Sequence, residues 1–286
     1  MEIRTDLALE KCENTDINSV SGVTSESFSA GNVKITRIEV TDENGAKLIG
    51  KPIGKYITAE TQSFAKHAQF IGEELEMIAK EISSLIPEEG SVLVAGLGNS
   101  SITPDALGPK CADMIFATRH IKGEILKETG LNNLRCVCAF STGVLGNTGA
   151  EAGEIIKALV NQLDPSAVIT IDALAARSIE RLGNTVQMCS TGITPGSGVG
   201  NSRSEINEKT IGVPVIAIGV PTVVDAATLV SDFAGNPSAE YPHPGMMVTP
   251  REVDLMIEHA AKLTSLAINR ALQPEISAED LIMLTS

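Results

Sequence analysis

Runs of aliphatic residues recur along this chain between stretches whose apolar positions repeat every three or four residues, and the alternation predicts an α/β protein. Val92-Leu93-Val94-Ala95-Gly96-Leu97 and Ala167-Val168-Ile169-Thr170-Ile171 are continuous apolar runs, as carried by strands buried on both faces. Arg135–Phe140 and Val213–Gly219 are two further strands of this kind. Helical spacing joins Phe64, Ala68, Ile71, Leu75, Ile78, Ile82 and Leu85, predicting a helix from about Glu60 to Leu85 that Pro87 and Gly90 stop. Helices are also predicted over Pro104–Thr118, Ala150–Leu163 and Pro250–Leu272, the last with a stripe of Val253, Ile257, Ala260, Leu263 and Leu266. Strands alternating with helices imply a doubly wound, mostly parallel sheet with helices on both faces. Ahead of it, Val33–Ile38 and Lys47–Ile49 alternate around Asp42-Glu43-Asn44-Gly45, which reads as an N-terminal β-hairpin turning at Asn44-Gly45. The Ser-rich stretch before it reads as a loosely packed terminus.

Composition narrows the partners. The chain has 286 residues, enough for a large core, and no Trp, so aliphatic side chains must fill that core. A net charge of −14 argues against a nucleic-acid groove, which needs clustered Lys and Arg, and suits attraction of a basic protein. No run reaches the length of a membrane span, and Met1–Glu10 lacks the apolar segment of an export signal. Five cysteines, an odd number, then point to a reducing, cytoplasmic compartment. Cys136 and Cys138 fit a buried strand over Leu134–Phe140 with both sulfurs packed on one face; no second cysteine pair or nearby histidine makes them a zinc site. His67, His120, His243 and His259 have no partner at ligand spacing.

Two carboxylates remain. Asp105 follows the strand and glycine turn Gly96-Leu97-Gly98-Asn99, and Asp172 ends the run Ala167–Ile171. In open α/β sheets, ligands and chemistry collect at the carboxyl ends of strands. Asp105, just after Thr103-Pro104, is equally an ordinary acid in a first helical turn, stabilised by the helix dipole. Asp172 could cap the segment after it or pair with Arg177. If the two meet, one retains a proton, and the pair can activate water and protonate a leaving amine. A metal ion between them is the rival arrangement. The turn lacks the third glycine of a dinucleotide fingerprint, since Ser101 stands there. Asp225 lies near another strand end and reads as a helix cap. The segment Cys189–Arg203 holds Gly192, Gly196, Gly198 and Gly200 and could approach a peptide backbone or an oxyanion; a plain surface loop is the alternative.

Four segments in order carry a resemblance: Gly96–Asn99 with Thr103–Pro109, Asp172–Arg177, Thr191–Asn201 and Ala217–Ala226. Together they resemble the germination protease family of endospore-forming bacteria, from Arg4 to the late helix. The resemblance implies an endopeptidase made as an inactive precursor, assembled as a homotetramer in the spore-core cytoplasm. It would degrade small acid-soluble spore proteins, with Asp105 and Asp172 as the catalytic pair. Gly96, Gly98, Asn99, Gly196, Gly198 and Gly200 would position the substrate backbone. Arg4-Thr5-Asp6-Leu7-Ala8-Leu9-Glu10 looks like the family's substrate consensus, so self-cleavage is expected between Asp6 and Leu7. Residues 1–6 are then a pro-segment and 7–286 one α/β peptidase domain. The arrangement is also similar to hydrogenase-maturation endopeptidases, where acids matching Asp105 and Asp172 bind a metal together with a histidine. No such histidine can be placed here, so no cofactor is expected, although a divalent metal at the two acids stays open. The competing readings are a metal-dependent peptidase using the same acids and a non-catalytic spore-protein-binding module.

Overall fold

The computed structural model describes residues 5–12, 21–66, 71–121, 133–200, 203–234 and 245–285. Residues 1–4 of the expected pro-segment, His67, Ala68, Asn201 and His243 lie outside them. Among the described residues nine strands share one sheet: β1 (Val23–Ala30), β2 (Val33–Val40), β3 (Gly54–Glu60), β4 (Val92–Leu97), β5 (Val137–Gly143), β6 (Ala167–Ala176), β7 (Thr185–Cys189), β8 (Val215–Asp225) and β9 (Met247–Val248). The order is β1-β2-β3-β7-β8-β6-β4-β5, with β9 against the end of β8. The helices are α1 (Ala8–Cys12), α2 (Glu43–Ile49), α3 (Glu73–Ser83), α4 (Leu107–Asp113), α5 (Leu145–Thr148), α6 (Ala152–Leu163), α7 (Glu208–Ile211), α8 (Ala226–Ala234), α9 (Val253–Leu272) and α10 (Ala278–Thr285). None is long and apolar enough to cross a membrane.

The expected α/β arrangement is present in the centre, where β5, β4, β6 and β8 run parallel. Their apolar runs are continuous because both faces are covered. On one face Val92, Val94, Ile169 and Ile171 pack with α3, α4 and α9; on the other Leu93, Ala95, Leu97 and Val168 meet Ile156 and Val160 of α6. Beyond β8 the sheet turns antiparallel through β7, β3, β2 and β1, so it is mixed as a whole.

Local chemistry moved several elements from their expected places. The hairpin turns at Gly31-Asn32 between β1 and β2, while Glu43–Ile49 is helical. Asp42 takes the N-cap position, its Oδ1 accepting from Gly45 N at 2.8 Å, and Gly50 closes the helix in the left-handed region. Gly45 is needed for packing: a Cβ there would lie 2.2 Å from the Gly22 carbonyl oxygen. The helix expected from Glu60 begins only at Glu73, since β3 runs to Glu60 and Phe64 N donates to Gly183 O. The Pro104–Thr118 helix is a 3₁₀ turn, Thr103–Asp105, followed by α4. His120 lies in a turn beyond α4 rather than ending a helix. Cys136 is exposed, ahead of β5, and Cys138 packs beneath α6. The terminus before β1 is not loose throughout: Leu7 and Ala8 are fully buried.

Candidate active site

The site forms where β4 and β6 pass their last shared ladder position. Gly96 lies inside β4, and an added Cβ would sit 2.1 Å from the Gly108 carbonyl oxygen; at Gly108 it would meet Leu97 O at 2.2 Å and Ile171 O at 2.4 Å. Two bare glycines thus let α4 lie directly on the backbones of β4 and β6. This close approach carries the preceding 3₁₀ turn, with Asp105, to the rim beside Asp172. Thr222 Oγ1 fixes the turn from β8 by donating to Pro104 O at 2.8 Å. Gly96 is therefore a packing position, set inside the strand behind the rim rather than on it.

Gly98 and Asn99 serve Asp105. Gly98 has φ of +109°, and a Cβ there would lie 2.2 Å from the Asp105 carbonyl oxygen. Asn99 N donates to Asp105 Oδ2 at 2.9 Å. Asp172 is not at a strand end: β6 continues to Ala176, and the side chain is buried on the strand, accepting from Ala173 N at 2.9 Å. Burial holds its carboxyl well above the usual carboxylate range, and the charges of Asp105 and Asp6 push it further the same way. Burial also raises Asp105, against the opposing pull of the Asn99 N–H. Both acids open on a cavity of about 420 Å³ that Asp6, Gly196 and Gly198 also line. Asp225 instead accepts from Thr228 N at 3.0 Å, the helix cap expected of it.

The third acid comes from the chain's own beginning. Asp6 N donates to Ala175 O at 3.0 Å, and Ala175 N donates back to Asp6 Oδ2 at 2.9 Å. Ser197 Oγ donates to Asp6 Oδ1 at 2.7 Å, and Gly198 approaches so closely that a Cβ would fall 2.2 Å from Asp6 Oδ2. Leu7 is fully buried among Leu174, Ala176 and Val224. Ala8 N donates to Gln187 Oε1 at 2.8 Å. Glu10 is buried and accepts from Arg177 N, Ser178 N and Arg181 Nη1 at 2.7, 3.0 and 3.2 Å, with the Thr5 hydroxyl also donating to it. Residues 5–10 thus lie along the end of β6, beside the two acids. The loop after β7 that supplies Ser197 and Gly198 is tethered, Ile193 and Ile206 exchanging both backbone bonds. Its glycines Gly196 and Gly200 both have φ of +73°. A second cavity, of about 550 Å³, lies on the other side of Asp6 and includes Gly200 in its wall.

The family model described as germination protease matches residues 2–235. The chain belongs to the germination protease family. The germination proteases of Clostridium perfringens (strain ATCC 13124) and Clostridium tetani are 40% and 41% identical, each alignment covering 98% of this chain and 98% of the relative. That of Oceanobacillus iheyensis is 43% identical over 81% of this chain and 66% of its own length. Among solved structures, the hydrogenase maturation protease HycI of Thermococcus kodakarensis aligns with a TM-score of 0.38 at 16% identity, over 66% of this chain and 98% of that one.

As a germination protease the chain is a peptidase. A catalytic zinc takes three protein ligands. Asp6, Asp105 and Asp172 share one cavity, and among the described residues no group of three His, Cys, Asp or Glu side chains is placed as such a ligand set. Sequence reasoning did not single out Lys51, Gln187 or Ser197. A polar residue inside the strand Thr185–Cys189 was the one available signal, since buried polar groups need partners.

Proposed function

We propose that this germination protease is an endopeptidase made as an inactive precursor. It removes residues 1–6 by cutting between Asp6 and Leu7, and then cuts small acid-soluble spore proteins in the same way, after an acidic and before an apolar residue. The observation that carries this reading is the seat of Thr5–Glu10. Each element of the substrate-like sequence has its own complement: Ser197 and the Ala175 N–H for the acid, an apolar pocket for the leucine, three N–H donors for the glutamate. In the precursor Thr5–Glu10 holds the place of substrate, which is why the precursor is inactive; the cut leaves Leu7–Glu10 tethered at one end only, able to yield the seat. The reading includes assembly as a homotetramer and action in the cytoplasm of the spore core.

The chemistry follows from the unequal burial of the two acids. Asp172, the more strongly raised, keeps its proton; Asp105, with an N–H on its carboxylate, is the one that ionises. Asp105 takes a proton from water, whose oxygen bonds to the Asp6 carbonyl carbon. The C–N bond then breaks as Asp172 protonates the Leu7 nitrogen, and the proton on Asp105 passes by way of solvent to Asp172, restoring both acids. To test this, purified precursor is incubated with and without a chelator and the new N-terminus sequenced. A chain beginning at Leu7 under both conditions is expected. Cleavage at another bond overturns the assignment, and loss of cleavage with chelator favours a metal-dependent peptidase.

A further inference from the structure

The carbonyl oxygen of Asp6 faces two side-chain donors that do not belong to the acid pair. Lys51 Nζ lies 2.8 Å from it and Gln187 Nε2 3.0 Å. They come from separate elements, Lys51 from the connection between α2 and β3, Gln187 from β7. The Gln187 amide cannot be turned around, because its Oε1 already accepts from Ala8 N at 2.8 Å. Its Nε2–H is thereby aimed at the residue two positions earlier. Lys51 is half-buried, and that burial lowers its ammonium from the ordinary lysine range while the charge of Asp6 acts in the opposite sense. Withdrawing an ammonium costs free energy that a carbonyl oxygen in its ground state only partly returns. An oxygen that becomes negative returns more.

We propose that Lys51 and Gln187 are the oxyanion-binding pair of this peptidase: they polarise the carbonyl of the residue before the scissile bond and hold its oxygen when water adds to the carbon. The proposal rests on the cut between Asp6 and Leu7 argued above. Preorganised donors of this kind act on charge that develops in the transition state, where fixed dipoles and charges in a dry site are most effective. The arrangement also divides labour. Because the oxygen has its own donors, the proton on Asp172 remains available for the leaving nitrogen. Lys51 touches the reacting carbonyl through its ammonium and Gln187 through its amide, so both are catalytic residues in this assignment. They select no side chain, since they grip the substrate backbone.

The test uses processed enzyme beginning at Leu7 and a peptide containing the Thr5–Glu10 sequence. Lys51→Met is expected to lower kcat by roughly 10²–10³-fold, the loss typical of one oxyanion donor, with a much smaller change in KM. Gln187→Met is expected to lower kcat as well, and it keeps the question open to measurement if Lys51→Met fails to fold. Wild-type kcat should fall on the alkaline side as Lys51 loses its proton, below the ordinary lysine range. Lys51→Arg, which stays charged, should retain part of kcat and lose that alkaline limb. A rise in KM with kcat preserved overturns the proposal and leaves the two residues as ground-state anchors. Unchanged kinetics in both variants overturns it outright. Wild-type cleavage at a bond other than the one matching Asp6–Leu7 fails the underlying reading itself, an outcome distinct from loss of the clamp.

Discussion

Asp172 shows how burial and neighbouring charge set one carboxyl apart from another. Its carboxyl is raised first by loss of water and then by the charges of Asp105 and Asp6, so the folded chain holds a proton there that the unfolded chain releases. Stability contributed in this way is present below the ordinary aspartate value and is lost as pH rises toward the raised one. Asp172→Asn is accordingly expected to be more stable than wild type at neutral pH, with the difference closing below about pH 4, where Asp172 is protonated in both the folded and the unfolded wild type; thermal melts across that range check it. The same variant should lose about 10²–10⁴-fold in peptide cleavage, the usual contribution of a positioned acid, and Asp105→Asn a similar amount. At Ser197 the effect should fall on binding. Ser197→Ala removes a hydrogen bond to the Asp6 carboxylate, worth about 1.5–3 kcal/mol for a charged acceptor, so KM for an aspartate-containing peptide should rise by about ten- to a hundredfold.

At the scale of elements, the end of β6 is the platform on which the proposed reading seats substrate. Asp172, Leu174 and Ala176 alternate toward one face, while the backbone of Ala175 pairs with Asp6 and the N–H groups of Arg177 and Ser178 receive Glu10. The glutamate is four residues past the scissile bond, yet it has three N–H donors and almost no solvent. Glu10→Gln halves its acceptor capacity and removes its charge beside Arg181. Self-processing of that variant is expected to slow by at least about tenfold, read from the appearance of the Leu7 terminus, while Arg181→Lys should cost less than Arg181→Ala. Processing as fast as wild type in Glu10→Gln would mean the pocket holds the precursor without selecting substrate.

Across the whole molecule, the segment proposed to be cut and the acids proposed to cut it belong to one chain: Asp6 bonds to Ala175, 169 positions away. Processing is therefore expected to be first order, with a half-life unchanged over a hundredfold dilution of the precursor; a half-life that lengthens on dilution would place the cut between molecules. The sheet explains why both arms of the site hold still. Its parallel centre carries Asp105 and Asp172, and its antiparallel extension carries Gln187 on β7, so the site spans the junction at β8.

How much of this was legible depends on the range of the interaction. Continuous apolar runs marked β4, β6 and β8 because strands covered on both faces have no polar side to show, and the two acids stood out as charges at the ends of those runs. The motifs around them, and the substrate-like Thr5–Glu10, resembled one family before any contact was known. Local competition was less legible: the Asn44-Gly45 pair signals a turn, but Asp42 as a cap and Gly45 against Gly22 made that segment a helix. The glycines of Gly96–Asn99 were visible, though not their purpose, since a missing side chain does not say which backbone will occupy its place. Lys51 and Gln187 carried no motif at all. Residue types and their order determined the fold class and the family, because these rest on hydrophobic period and on contiguous motifs, and the same motifs point to the acid pair and to the bond proposed for cutting. Only the tertiary structure decided which acid is the more deeply buried, where the terminus lies and what faces its carbonyl, because burial and hydrogen bonding between distant segments exist only once the sheet has assembled.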